Sequence, residues 1–337
     1  MDMRPDTLVY SSDEQPGYRR RRQRGQFAYF TPSGKRVRAA RTLARIRRLA
    51  IPPAYIDVWI CRDARGHLQA SGRDARGRKQ YRYHPQWRSE RDASKYGRLI
   101  EFAAHLPALR ASVSRDIASP GLSRRKVLAL VVRLLETTLI RIGNEEYSRH
   151  NHSYGLTTLK DRHVDFRGPR VRFRFRGKNG KDHDVLLEDE RLARVVRRVQ
   201  ELPGQDLFQY IDDAGEVQRV GSADVNAYIR EHTARDFSAK DFRTWHATVR
   251  AARELSAAGF AENEGETKRR INAAIAAVAR RLGNTVAVCR ASYVHPAVLD
   301  AYRARRLRLP RAARSAPPSR GLSAQERAVL RLLQRSC

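Results

Sequence analysis

The spacing of apolar residues divides the chain into two stretches with different periods. Through the first ninety residues, short apolar runs are broken by turn residues, the pattern of strands. Residues 26–30, 55–61, 67–71 and 79–83 predict strands, with turns at Pro32-Ser33-Gly34 and Ala64-Arg65-Gly66. Residues 41–49 predict one short helix. Beyond residue 90 the apolar positions recur at helical spacing. Residues 94–117 and 123–150 predict two helices, the second opened by Ser123 as an N-cap. Residues 155–159, 171–175 and 183–187 predict three short strands. The last two flank Asn179-Gly180, a strong hairpin signal. Helices are then predicted over 191–201, 222–232, 238–258 and 266–282. Residues 303–320 are basic and contain Pro and Ser, the composition of a linker. Ser323 and Glu326 form a capping box that opens a final short helix. No internal repeat is visible.

This pattern predicts an α+β protein in three parts. A small β-rich N-terminal domain covers residues 1–90. A larger, mainly α-helical domain with a short three-stranded sheet covers 91–310. A basic C-terminal tail with a short helix covers 311–337. The joint is expected at 88–93, with a hinge around 90–94.

Charge changes the picture from a fold to a partner. Hydrophobic residues make up 41% of the 337, enough to bury a core, yet the formal net charge is +32. Such an excess points to a polyanion, and nucleic acid is the commonest. Only nine of the 68 basic residues are lysine. Arginine grips phosphate with a two-donor fork, so this bias suits a phosphate backbone. Cys61, Cys289 and Cys337 have no paired spacing and suggest neither a disulfide framework nor a zinc site. A cytoplasmic protein is expected, with no apolar signal core and no stretch of membrane-spanning length.

Several chemistries find no support. The segment from Gly72 to Lys79 has the wrong final residues for a nucleotide-phosphate loop. The acidic clusters at 188–190 and 212–213 lack a second convergent carboxylate group, so a two-metal nuclease is weakly supported. The positive signals are basic. Arg73, Arg76, Arg78 and Lys79 interleave with Gln80 and Tyr81, a surface that can hold phosphates while Gln and Tyr reach bases or sugars. Arg141 lies in an apolar run near a helix end. Lys178 occupies the tip of a predicted hairpin. Lys240 and Arg243 open a helix. Asn284 lies in a turn, and Tyr293 follows nine residues later. Taken singly, each has an ordinary reading: a snorkelling arginine, a solvated turn lysine, a packing tyrosine.

In this order, however, Arg141, Lys178, Arg243, Asn284 and Tyr293 resemble the catalytic domain of the type IB DNA topoisomerases, in the small class shared by poxviruses and bacteria. The run D-A-R-G-R-K-Q-Y-R-Y from Asp74 to Tyr83 resembles that class's DNA-gripping segment, as does G-L-T-T-L-K ending at Lys160. The resemblance spans roughly residues 18–303. It implies the fold shared with tyrosine recombinases, with the two domains clamping a duplex. It also implies that Tyr293 is the nucleophile, that Arg141 and Arg243 bind the scissile phosphate, and that Lys178 is the general acid. Lys240 takes a supporting role. Asn284 stands where poxvirus enzymes carry histidine, leaving hydrogen bonding to phosphate as its role, since an amide donates without titrating. The expected partner is supercoiled duplex DNA, bound by a monomer associated with the nucleoid in a bacterial cell. No metal, ATP or other cofactor is expected.

Two alternatives stand beside this reading. A tyrosine recombinase shares fold and mechanism, but usually has histidine three residues before the second arginine, where this chain has Lys240. A non-catalytic DNA-binding protein explains the charge but not the ordered series.

Overall fold

The computed structural model describes residues 8–23, 25–75, 77–311 and 321–336, with the side chains of 88–95 and 147 outside the description. The chain divides into two compact units, residues 1–95 and 96–337.

The first unit is an antiparallel sheet with one helix. Its elements are β1 Tyr18–Gln23, β2 Gln26–Phe30, α1 Ala40–Arg48, β3 Ile56–Ile60, β4 Leu68–Arg73 and β5 Lys79–Tyr83, with sheet order β2-β1-β3-β4-β5. The arginine run at 19–22 is itself a strand, paired along its length with β2. Val58, Ile60 and Ala70 pack with Ile46 of α1. Trp59 is also buried, and its indole N–H donates to the Gln15 carbonyl at 2.8 Å. Both faces of β3 are therefore covered, which is why its last three residues are all apolar or aromatic.

The helix α2, Pro85–Ala118, begins in the first unit and runs unbroken through 88–93, where composition predicts a joint. Next comes α3, Arg124–Thr138, capped by the Ser123 side chain, which accepts from the Lys126 amide. Nearly every apolar residue of α3 is buried, from Val127 to Leu135. A helix that is apolar all round must be enclosed, and α3 is the centre of the second unit. It stops at Leu139, whose φ of 58° is left-handed. The prediction of one helix to residue 150 is therefore corrected. Arg141 lies in an extended segment before α4, Glu145–Asn151.

The three-stranded sheet is also partly reassigned. Within 155–159, Leu156–Thr158 forms a 3-10 turn rather than a strand, closed by the Thr158 and Leu159 amides on the Gly155 and Leu156 carbonyls at 2.8 and 3.2 Å, while the Leu156 and Thr157 amides bond to the Arg141 and Ile142 carbonyls. The strands are β6 Val164–Arg167, β7 Arg170–Arg176 and β8 Asp182–Leu187, antiparallel in that order. After them come α5 Glu190–Gln200, the small hairpin β9 Gln209–Ile211 with β10 Val217–Arg219, and α6 Ser222–Thr233. The chain continues through α7 Ala239–Ala258, α8 Glu264–Leu282, α9 Val286–Ser292, α10 Pro296–Arg303 and α11 Ala324–Gln334.

The last helix is part of the core. Val329 and Leu333 of α11 are buried, and Glu326 pairs with Arg110 of α2 at 2.7 Å. Arg110 also meets Glu136 of α3 at 2.6 Å, and Trp245 of α7 donates its indole N–H to Glu326 at 3.2 Å. A buried ionic cluster of this kind is costly unless every charge is matched. Here it ties the C-terminus to the helix that carries Arg243.

Candidate active site

Four of the five residues of the predicted series converge. The loop after α3 carries Arg141, and α7 carries Arg243 on its second turn. The turn between α8 and α9 carries Asn284, and the end of α9 carries Tyr293. Each is held by local chemistry. Gly283, at φ 63°, closes α8 with a left-handed residue, the conformation glycine adopts without steric cost. Thr285 caps α9 by accepting from the Val288 amide at 3.2 Å. The Tyr293 amide closes that helix on the Cys289 carbonyl. Thr248, five residues beyond Arg243, donates its hydroxyl to the Tyr293 carbonyl at 3.2 Å. The helix holding the arginine thus also fixes the tyrosine's backbone. Nothing in the sequence marks Thr248, because its partner lies 45 residues away.

Arg243 is only 5% exposed. Its guanidinium donates to the carbonyls of Leu139 and, at 2.8 Å, Leu282. These are the ends of α3 and α8, where carbonyls lack helical partners. Its carbon stands 5.6 Å from the centre of the Tyr293 ring. Arg141 donates to the Asn284 side-chain carbonyl. Among the described residues, no carboxylate joins this group. Burial, with Arg141 adding to it, pushes the Arg243 guanidinium down to about 10, and burial lowers Arg141 as well. Burial opposes ionising the Tyr293 hydroxyl, but Arg243 and Arg141 outweigh it and bring the phenol below its ordinary range.

Two neighbouring like charges, one buried and one half-buried, with no counter-ion among the described residues, are unfavourable in the protein alone. Two buried donors, Arg243 Nε and Asn284 Nδ2, make no hydrogen bond of good geometry, although both side chains lie close enough to the Tyr293 hydroxyl to favour its ionised form. Buried donors are rarely left unmatched. Both features call for an anion with several acceptor oxygens, supplied from outside the chain. Among the described residues, no group of three or more His, Cys, Asp or Glu side chains could hold a metal ion.

The remaining predicted residues lie apart from this cage. Lys178 is exposed on the β7–β8 turn, where Asn179 and Gly180 take φ values of 66° and 72°. Lys240 is exposed on the first turn of α7 and joins none of the contacts above. Lys160 is engaged by Asp206 at 2.6 Å, and Arg219 holds the other oxygen of that carboxylate at 2.8 Å.

In the N-terminal unit, Lys79, Tyr81 and Tyr83 share one exposed face of β5 by strand alternation. The charged residues there have acidic neighbours. Arg73 is 3.7 Å from Asp57, Arg78 pairs with Asp74 at 2.8 Å, and Lys79 pairs with Asp13 at 2.7 Å. Gln80 donates to the same Asp74 carboxylate at 3.0 Å. Arg76 lies outside the described residues.

One neighbour of the cage is invisible to sequence reasoning. His183, at the start of β8, stacks flat on Phe175, with ring centres 4.9 Å apart and planes 4° from parallel. Burial, then Arg141 and Arg243, hold its imidazole down to about 4, so it is neutral at physiological pH.

Known proteins resemble this chain along most of its length. Residues 84–314 match the family described as eukaryotic DNA topoisomerase I, catalytic core. Residues 26–74 match the bacterial DNA topoisomerase IB, N-terminal domain. The chain is 31% identical to DNA topoisomerase 1B of Acanthamoeba polyphaga mimivirus, over 85% of this chain and 87% of that one. DNA topoisomerase I of Monkeypox virus is 22% identical over 50% of this chain and 56% of its own. DNA topoisomerase 1 of Daucus carota is 26% identical over 46% of this chain and 19% of its own. Among the described residues, no helix is long and apolar enough to cross a membrane.

Proposed function

The chain belongs to the type IB DNA topoisomerases, and from that premise we propose that Tyr293 cuts one strand of duplex DNA and reseals it without metal or ATP. The Tyr293 oxygen attacks the scissile phosphorus, the bond from phosphorus to the 5′ oxygen breaks, and the phenol proton leaves to solvent. Lys178 gives a proton to the departing oxygen. The product is a 3′-phosphotyrosine and a free 5′ hydroxyl. Reversal uses the same groups, and the phosphotyrosine conserves the bond energy, so resealing needs no nucleotide. Rotation of the free end between the two steps relaxes supercoils. The enzyme acts as a monomer.

Charge develops on the phosphate's non-bridging oxygens during transfer. Arg141, Arg243 and Asn284 are donors that can meet it. Donors fixed before reaction stabilise such charge without reorganising. Neighbouring guanidiniums also favour the ionised phenol, which is the attacking form. The observation that carries the reading is Arg243. It is buried, without a carboxylate, anchored to two helix ends and set over the Tyr293 ring. Such a charge has its natural partner in a phosphate.

The exposed face of β5, with Arg73, Arg78 and Lys79 beside it, supports a role for the N-terminal unit in gripping the duplex. Phosphates would exchange with Asp57, Asp74 and Asp13 as partners, so binding weakens steeply as salt rises. The test is relaxation of supercoiled plasmid in EDTA without ATP. Relaxation across a range of salt is expected, and a plasmid left supercoiled under all of them overturns the reading.

A further inference from the structure

His183 lies beside the site, near Arg141, Arg243 and the Gly283 backbone. Its ring lies between two glycines 106 residues apart. A Cβ on Gly177 would lie 2.5 Å from His183 Cδ2, and a Cβ on Gly283 would lie 2.5 Å from His183 Cε1. Gly177 immediately precedes Lys178, and Gly283 immediately precedes Asn284. The ring therefore touches the backbone just before the proposed proton donor and just before a member of the phosphate cage. Phe175, on the paired strand, fixes the plane of the imidazole by stacking. Because burial and the two arginines keep the ring neutral, it adds no third positive charge beside them.

We infer that His183 is a positioning residue, a flat spacer that sets the Lys178 hairpin against the Gly283-Asn284 turn. The inference rests on Lys178 being the proton donor. What matters is the size and plane of the ring, since both glycines meet the atoms around its Nε2 while Phe175 covers a face. A smaller side chain leaves the hairpin base without its stop. A Cβ on either glycine pushes the ring out of register.

The two glycines differ as probes. Gly283 needs positive φ, so a substitution there is strained whatever the ring does. Gly177 has φ −98°, a backbone any residue adopts. Gly177→Ala therefore reports only the clash with the ring.

The experiment is single-turnover cleavage of a duplex with either oxygen or sulfur as the bridging 5′ atom. A sulfur leaving group needs no proton, so it isolates the contribution of Lys178. His183→Ala should cleave the oxygen duplex about ten- to a hundredfold slower, the scale of a misplaced reacting group. Most of that loss should vanish with sulfur, and DNA affinity should stay unchanged. His183→Phe lengthens the ring at the end that meets both glycines, so it should be slowed as Gly177→Ala is. Gly177→Ala should slow cleavage in the parent but add nothing in His183→Ala, a coupling that a double-mutant cycle reads directly. Equal loss on both duplexes, or additive Gly177 and His183 effects, would each overturn the proposal. Lys178→Ala is the control. If sulfur fails to rescue it, the proton-donor reading fails, while the Gly177–His183 coupling still decides whether the ring is a spacer.

Discussion

The arginine cage and the Lys178 hairpin solve opposite problems within one unit. Arg243 is buried, its fork closed on carbonyls from two helices, and its helix is pinned from behind by Trp245 and Glu326. Lys178 stands exposed at the tip of a turn whose shape comes from backbone bonds and two left-handed residues. The difference fits the roles proposed for each. Donors that stabilise developing charge gain by being fixed before the substrate arrives. A proton donor must reach an oxygen that only the bound substrate provides. A flexible ammonium on a projecting turn can do so at little cost to the fold, whereas a buried one would have to be desolvated.

The contrast can be broken by substitution. Lys178→Ala should slow cleavage about 10²- to 10⁴-fold, the range of a general acid. It should leave the melting temperature unchanged, because an exposed turn residue carries little stability. A sulfur leaving group should restore the rate. Arg243→Ala should slow cleavage about 10²- to 10³-fold, as for the loss of one preorganised donor. It should also lower stability, since each carbonyl left unpaired costs about 1–3 kcal/mol. Thermal melting beside single-turnover rates separates the two. An Arg243→Ala protein that melts like the parent would show that the anchors at Leu139 and Leu282 do not hold the fold.

Asn284→His should cleave within about tenfold of the parent, the equivalent of one hydrogen bond. Complete loss on the same assay would mean that the pocket depends on the amide itself.

The smallest expected effect is one of pH. Burial opposes the ionised forms of Glu136 and Glu326. The groups facing them, His246 and Arg110 for Glu136 and Arg110 for Glu326, prevail and bring both to about 2 from an ordinary 4.5. Carboxylates so depressed contribute stability above pH 4.5, and that contribution is lost as pH falls towards 2. Melting temperature should fall across that window, and Glu326→Gln should flatten part of the fall. A parallel fall in the variant would remove the ionic cluster as the cause.

Local signals were legible in the sequence, and long-range ones were not. The strands at 26–30 and 79–83 and the caps at Ser123 and Ser323 follow from neighbouring residues, and the structure has them at those positions. The same logic misreads 155–159, whose backbone bonds to the Arg141 segment instead of forming a strand. It ends α3 too late, because Leu139 breaks the helix in a conformation that leucine rarely takes. It leaves out α9 and α10, which are short and packed against longer helices. It finds the short helix α11 but not its docking into the core, because the charge that docks Glu326 is Arg110, 216 residues earlier. In the site, the ordered basic residues and the tyrosine were visible as a series. Thr248 and His183 were not, since Thr248 meets Tyr293 and His183 meets Gly283, both far away in sequence.

The central claim is that Tyr293 forms the covalent bond. A protein–DNA adduct trapped with denaturant during cleavage, digested and mapped by mass spectrometry, tests it most directly. The account predicts a single nucleotide-bearing peptide that contains Tyr293, joined through a 3′ phosphate, and none from Tyr293→Phe although that variant still binds DNA. An adduct on any other residue, or one that persists in Tyr293→Phe, would contradict it.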